Sequence, residues 1–293
     1  LSYSETVEVA LDTPPVLNLG EDQIICAGES ATLESNVPGD SLFWYNSTGV
    51  VVSTSQTYVT STPDTYQLVV YQSTCSSDTT ITVSTIEFPE AGFNASATVA
   101  CEGEDVTFES VVQAAAGDAI STYSWDFDDG NSSTEQNPVK SFANSETYSV
   151  TLTVTSLVGC TDDFTMDITV KPKPVIDFSV TDFCQGQDIN LLNNTTISDA
   201  SEITYLWDFG DTSPSSEEEP KKSYSSADDY TIALTATAQG CVVTESMDVT
   251  ISPKPTGAFR IVDESANNLS RACVGQEVYF ENNTSDPDDH TID

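Results

Sequence analysis

Two stretches of this 293-residue chain concentrate carboxylates beside a tryptophan: "YSWDFDDGNSSTEQNP" from Tyr123 to Pro138 and "YLWDFGDTSPSSEEEP" from Tyr205 to Pro220. Adjacent carboxylates are hard oxygen donors, so Asp128 and Asp129 are candidate Ca²⁺ ligands, and Ca²⁺ is the one cofactor the sequence leaves room for. The stretch lacks the evenly spaced ligands and the terminal bidentate Glu of a helix–loop–helix calcium site. Nucleophilic and acid–base chemistry have still less to work with. The single histidine, His290, lies in "DPDDHTID" beside Asp286, Asp288 and Asp289 without a nucleophile pattern, and reads as a solvated loop residue. The tripeptide Asp208-Phe209-Gly210 matches a kinase signature, but no glycine-rich loop, strand lysine or catalytic-loop motif accompanies it. The chain reads as non-enzymatic.

Its charge narrows the partners. With 47 Asp and Glu against 8 Lys and Arg, the formal net charge is −39. Nucleic acid and anionic membrane surfaces are recognised by Lys and Arg and are repelled here. No stretch approaches the 18 consecutive apolar residues of a membrane span, so direct membrane insertion is not expected. The same charge keeps a secreted protein soluble, and 38% hydrophobic residues suffice to fill cores.

The elements that must position these residues repeat. A Cys, a Gly two residues on, and apolar residues at the fifth and seventh positions recur as Cys26-Gly28-Ala31-Leu33, Cys101-Gly103-Val106-Phe108, Cys184-Gly186-Ile189-Leu191 and Cys273-Gly275-Val278-Phe280. Such alternation marks a strand with one buried face. After the first three come tryptophan strands at Trp44, Trp125 and Trp207, then strands opened by Tyr66, Tyr148 and Tyr230. A Tyr at that place ties a corner of an immunoglobulin-like sandwich to the backbone. Short strands between Gly, Asn, Asp, Ser and Pro clusters, in units of about 80 residues, predict an all-β fold of tandem antiparallel β-sandwiches. Proline-rich boundaries at "EFPEAGF", "VKPKPVIDF" and "ISPKPTGAF" divide the chain into a closing strand at 1–13, sandwiches at 14–86, 87–173 and 174–254, and opening strands at 255–293. Short, stiff linkers predict a rod-like array, and the incomplete ends read as an excerpt from a longer one.

"YxWDF", then "NP", then "TYSVTLTV" resembles the PKD domain, an immunoglobulin-like module, in two copies over residues 87–254. Residues 14–86 carry "FWYNSTG" instead and resemble a related bacterial immunoglobulin-like repeat. The family's usual WDFGDG is incomplete in both copies, with Asp128 at its first Gly and Thr212 at its second. The resemblance implies that Trp125, Phe127, Trp207 and Phe209 point into sandwich cores, with Asp126 and Asp208 outward. Cysteine-bearing repeats of this style resemble those of secreted Bacteroidetes surface proteins, including gliding-motility adhesins exported by type IX secretion. That resemblance implies an extracellular, cell-surface structural and adhesive segment. Its partners would be neighbouring repeats of the same chain and surface polysaccharide or protein ligands. The alternative is an accessory carbohydrate- or protein-binding module of a secreted hydrolase.

An oxidising compartment pairs cysteines. Each unit has one cysteine of each kind, which favours Cys26 with Cys75, Cys101 with Cys160 and Cys184 with Cys241. Cys273 is then left over. The rival arrangement, Cys26 with Cys160 and Cys101 with Cys241, would staple neighbouring sandwiches, because in an immunoglobulin-like sandwich the two kinds lie at opposite poles. Sequons at Asn46, Asn94, Asn131, Asn193, Asn194, Asn282 and Asn283 are at chance frequency in so Asn/Ser/Thr-rich a chain. Ser41 in "DSL" and Thr79 in "DTT" resemble bacterial O-glycosylation acceptors and predict exposed loops.

Overall fold

The period-two alternation is realised as strands. The computed structural model describes residues 12–181, 183–255, 257–268, 270–272, 275 and 277–282. Most of the expected closing strand at 1–13, together with Cys273, Asn283 and the His290 segment, lies outside the described residues. Among those described there are 23 strands, and no helix is long and apolar enough to cross a membrane. The chain forms two compact units: residues 1–100, 105–142 and 147–169, and residues 101–104, 143–146 and 170–293.

Unit 1 holds the first sandwich. Its larger sheet runs in the order Gln23–Cys26, Cys75–Ile86, Asp64–Gln72, Ser41–Tyr45, Val51–Ser53, and its smaller one pairs Ala31–Glu34 with Thr57–Thr60. Inward residues of both, Ala31, Leu33, Trp44, Tyr66, Leu68, Val70, Ile81 and Val83, form one core. Register places Trp44 opposite Leu68 and Tyr66 opposite Ile81. The first strand runs parallel to the end of the closing strand, so Cys26 stands beside Ile86.

The second sandwich orders Ser132–Ser133, Ile120–Asp126, Thr147–Ser156, Thr161–Lys171 and Val99–Cys101 in one sheet, and Val139–Ser141, Asp105–Ser110 and Phe93–Ala95 in the other. In Thr147–Ser156 every second residue is buried: Tyr148, Val150, Leu152, Val154 and Ser156. Trp125 packs between Phe93, at 4.9 Å between ring centroids, and Phe108, at 5.5 Å.

Unit 2 holds the third sandwich, with Thr204–Asp208, Asp229–Ala238 and Cys241–Thr250 in one sheet and Phe178–Thr181, Asp188–Asn193 and Lys222–Ser223 in the other. Their inward faces share a core around Trp207, Phe209, Tyr224, Ile232 and Leu234. A hairpin of Phe259–Val262 with Tyr279–Asn282 follows.

The Cys-x-Gly element is a turn that aims the chain into the strand behind it. Glu104 N–H donates to the Cys101 carbonyl at 2.9 Å, and Gly103 sits at a φ of 69°. A side chain is strained there and glycine is not.

Trp125 and Trp207 are fully buried, and removing a ring from such a site costs about 3–5 kcal/mol. Trp125→Ala and Trp207→Ala are each expected to lower the urea midpoint of the affected sandwich accordingly. Trp125→Phe should lose less, because it keeps a ring in place. Equal losses for Ala and Phe would show that the cavity is not the cause.

Candidate functional site

The repeated tryptophan motif builds a closed corner. Trp125 and Phe127 are buried while Asp126 between them is exposed, and Trp207, Asp208 and Phe209 repeat this pattern. The indole N–H of Trp125 donates to the Glu135 carbonyl at 2.9 Å, and that of Trp207 to the Glu217 carbonyl at 3.0 Å. Each tryptophan thus fastens the loop that leaves its own strand. The "NP" tail is tied down next: Asn137 Oδ1 accepts from Ser110 N–H at 2.9 Å, and the Pro138 carbonyl accepts from Phe108 N–H at 2.9 Å. Trp44 makes the corresponding bond to the Ser55 carbonyl, at 3.0 Å, without the rest of the motif.

The aspartates cap this turn from outside. Asp126 Oδ1 accepts from Asp128 N–H at 3.0 Å, and Asp208 Oδ1 accepts from Gly210 N–H at 2.9 Å. Asp128 takes the left-handed conformation of the family's first glycine, with φ 59°, and Thr212 that of the second, with φ 71°. Asp tolerates that region, whereas a β-branched Thr is strained in it. The turn geometry is therefore kept in both copies despite the substitutions.

Asp128 and Asp129, the candidate calcium ligands, are turned to other partners. Asp128 Oδ2 accepts from Ser149 N–H at 3.1 Å, Asp129 Oδ1 accepts from Asn131 N–H at 3.0 Å, and Asp129 Oδ2 pairs with Lys140 Nζ at 2.6 Å. The Lys140 ammonium already neutralises the Asp129 carboxylate. Among the described residues no three of His, Cys, Asp and Glu gather closely enough to hold a metal ion. The third sandwich repeats the bridge, with Lys222 on Asp211. Both lysines also cover rings: Lys140 Nζ lies 5.6 Å from the centroids of Phe127 and Phe142, and Lys222 Nζ lies 5.0 Å from Phe209 and 5.1 Å from Tyr224. Burial works against the Asp129 carboxylate, but the Lys140 ammonium and the Asn131 contacts outweigh it and hold its carboxyl below the ordinary value. Asp211 is held low in the same way, with Lys222 and Ser213 outweighing burial. Sequence reasoning missed these lysines, although Lys140 in "PVKSF" and Lys222 in "PKKSY" stand at the same offset from their tryptophans.

Tyr66 and Tyr230 make the expected tyrosine corners. Tyr66 Oη donates to the Thr62 carbonyl at 2.9 Å and meets Thr60 Oγ1 at 2.8 Å, and Tyr230 Oη donates to the Ser226 carbonyl at 3.3 Å. Tyr148 is buried and stacks on Phe142 at 4.4 Å. Ser41 and Thr79 lie in strands, not loops: Ser41 pairs with Tyr71, and Thr79 with Leu68.

The expected disulfide pairing within sandwiches is overturned. The bonds join Cys26 to Cys160 and Cys101 to Cys241, each with Cα atoms 5.7 Å apart. Among the described residues Cys75 and Cys184 are free. The reason is strand length. Cys75 opens the strand that ends at Ile86, and Cys26 is the register partner of Ile86. That extended strand separates the two cysteines by about 36 Å, whereas a disulfide needs Cα atoms within about 7 Å. Glu102 N–H donates to the Lys171 carbonyl at the end of the strand that follows Cys160, and Cys184 bridges Ser252 beyond the strand that Cys241 opens, so the other two sandwiches have their cysteines at opposite ends as well. Cys26 and Cys160 both belong to unit 1, and Cys101 and Cys241 both belong to unit 2.

A second feature missed in the sequence is the residue after the first-kind cysteine. Glu102 accepts from Ser145 N–H at 2.9 Å and Lys173 N–H at 3.2 Å. Gln185 donates to the Ser225 carbonyl at 2.8 Å and accepts from Lys254 N–H at 3.3 Å. Each clamps the turn before the tyrosine strand to the proline linker.

The PKD domain model matches residues 87–172 and 170–251, together more than half of the chain. Similar solved structures include the PKD1 domain of Vibrio anguillarum Epp, at 31% identity over 27% of this chain and 93% of that one, with a TM-score of 0.25. The PKD1 domain from the Vibrio cholerae metalloprotease PrtV is also 31% identical, over 27% of this chain and 96% of that one, with a TM-score of 0.25. An I-band fragment of titin is 13% identical over 83% of this chain and all of that one, with a TM-score of 0.43.

The depressed Asp129 and Asp211 carboxyls contribute stability in full above about pH 4, the unfolded range, and lose it as pH falls through their lower folded-state values. Lys140→Met should cost about 1.5–3 kcal/mol at pH 7, the worth of a hydrogen bond to a charged group. In urea melts it should also flatten the loss of stability below about pH 4; slopes equal to the parent's would show the bridge to be inert. Because Lys140 already neutralises Asp129, EDTA should leave the melting temperature unchanged at physiological salt. A rise of many degrees on adding Ca²⁺, reversed by chelation, would show a calcium site, with Asp128 and Asp129 the first residues to test.

Proposed function

The chain belongs to the PKD domain family, and from that premise we propose that it is a non-catalytic structural repeat segment of a long extracellular surface adhesin or filament. Its setting is bacterial surface adhesion or gliding motility, as in the gliding adhesin SprB and other cargo of type IX secretion. The observation that carries this reading is the pair of disulfides between cysteines 134 and 140 residues apart. A binding module that works alone gains from bridges inside its own sandwich. Bridges that skip to the next sandwich serve a chain whose sandwiches must stay together. Disulfides persist in oxidising surroundings outside the cytosol, and a net charge of −39 keeps neighbouring filaments apart. The polar groups of the tryptophan corners are committed to turns and to Lys140 and Lys222, which supports a structural rather than a catalytic use of them. The partners are adjoining repeats, with polysaccharide or protein ligands bound elsewhere on the filament.

Antibodies raised against residues 87–254 and read by immunogold microscopy on intact source cells are expected to mark filaments standing off the envelope. Label confined to cell-free medium, on a complex that hydrolyses polysaccharide or protein, would replace this reading with that of an accessory module of a secreted hydrolase.

A further inference from the structure

The two disulfides interlock. Cys101 falls inside the loop closed by Cys26 and Cys160, and Cys160 falls inside the loop closed by Cys101 and Cys241. Joining Cys26 to Cys160 makes one covalent node, and joining Cys101 to Cys241 makes a second. Three segments of backbone then run between the same two nodes: Cys26 to Cys101, Cys101 to Cys160, and Cys160 to Cys241. We propose that this closed circuit makes the chain a three-stranded covalent tether, in which tension between Cys26 and Cys241 is carried by three polypeptide segments in parallel.

The geometry of the sandwiches enforces the circuit. Each closing strand holds the two kinds of cysteine about 36 Å apart, so a first-kind sulfur finds its partner only at the hairpin tip of the next sandwich. The Cys-x-Gly turns aim the first kind, and the tips before Cys160 and Cys241 present the second, with Gly159 and Gly240 at φ 102° and 91°. Cys26, Cys160 and Cys241 are buried, shielding three of the four sulfurs from exchange. The reach of a stretched chain is at most about 3.5 Å per residue. Between Cys26 and Cys241 the open chain could extend to about 750 Å, whereas the circuit is limited by its shortest arm, Cys101 to Cys160, to about 210 Å. Complete unfolding of all three sandwiches would therefore extend the span between the two nodes to no more than about 210 Å, and a single backbone cut in any arm would sever nothing.

The circuit depends on the pairing alone, and it holds whether the filament is an adhesin or another extracellular assembly. Its test is single-molecule stretching of the full chain held at its two ends. Oxidised chains are expected to open by no more than about 210 Å between Cys26 and Cys241, and reduced chains by about 750 Å. The discriminating variant is Cys26→Ser/Cys160→Ser. In the circuit it leaves the Cys101–Cys241 bond and the path from Cys26 to Cys101, about 260 Å; bonds confined to single sandwiches would leave the path from Cys26 to Cys184, about 550 Å. The longer release would overturn the proposal. Limited proteolysis supplies a second readout that does not depend on force. A chain nicked once between residues 26 and 241 should run as one species on a non-reducing gel and split on reduction, and fragments that separate without reductant at a cut between Cys75 and Cys101 would also overturn it.

Discussion

The length of the closing strand constrains the rest of the covalent structure. From Cys75 to Ile86 the backbone is extended, paired through most of its run with the tyrosine strand, and the opening strand docks parallel to its far end. A sandwich with this topology cannot bring its own two cysteines together, because a rigid element of about 36 Å lies between them. The sulfurs must look outward for partners. Cross-sandwich linkage is thus a consequence of strand order and strand length, and needs no special device at the cysteines beyond the turns that present them.

Within each PKD sandwich the tryptophan corner fixes the sheet edges on which that topology depends. One indole N–H, one Asx-type turn and one lysine bridge hold the loop after the tryptophan strand against the core, and the third sandwich repeats all three. In a chain with 8 basic residues, two are placed inside these corners. Their value there is greater than on the surface: a largely buried ammonium between a carboxylate and two aromatic rings is screened less than an exposed pair. The acidic exterior keeps its charge, and the turn most crowded with carboxylates is neutralised from within.

The fold could be read from the residues because its causes are local or periodic. Alternation at Val106 and Phe108, or at Tyr148, Val150, Leu152 and Val154, announces a half-buried strand wherever the chain places it, since successive side chains point to opposite faces. Turn chemistry at Gly103 and the stop imposed by "KPKP" mark strand ends for equally local reasons. The motif's Trp and Phe, two positions apart, share one face on the same ground. The two lysine bridges were present as a constant offset from the tryptophans, yet such an offset has no local meaning until the loop folds back.

Residue order alone thus dictates tandem all-β sandwiches, one shared strand face for the tryptophan and phenylalanine of each PKD copy with Asp126 and Asp208 on the other, and the existence of two kinds of cysteine. Which sulfurs meet, that Asp129 and Asp211 face ammonium groups, and that Glu102 and Gln185 clamp the linkers emerge only when the sheets are assembled. The physical reason is the range of the interaction. Side-chain direction along a strand is set by the immediate neighbours, whereas a disulfide or an ion pair joins atoms whose sequence separation carries no distance. Cys75 is much nearer to Cys26 along the chain than Cys160, which lies 134 residues away, and only the paired strand from Cys75 to Ile86 makes the nearer partner in sequence the farther one in space.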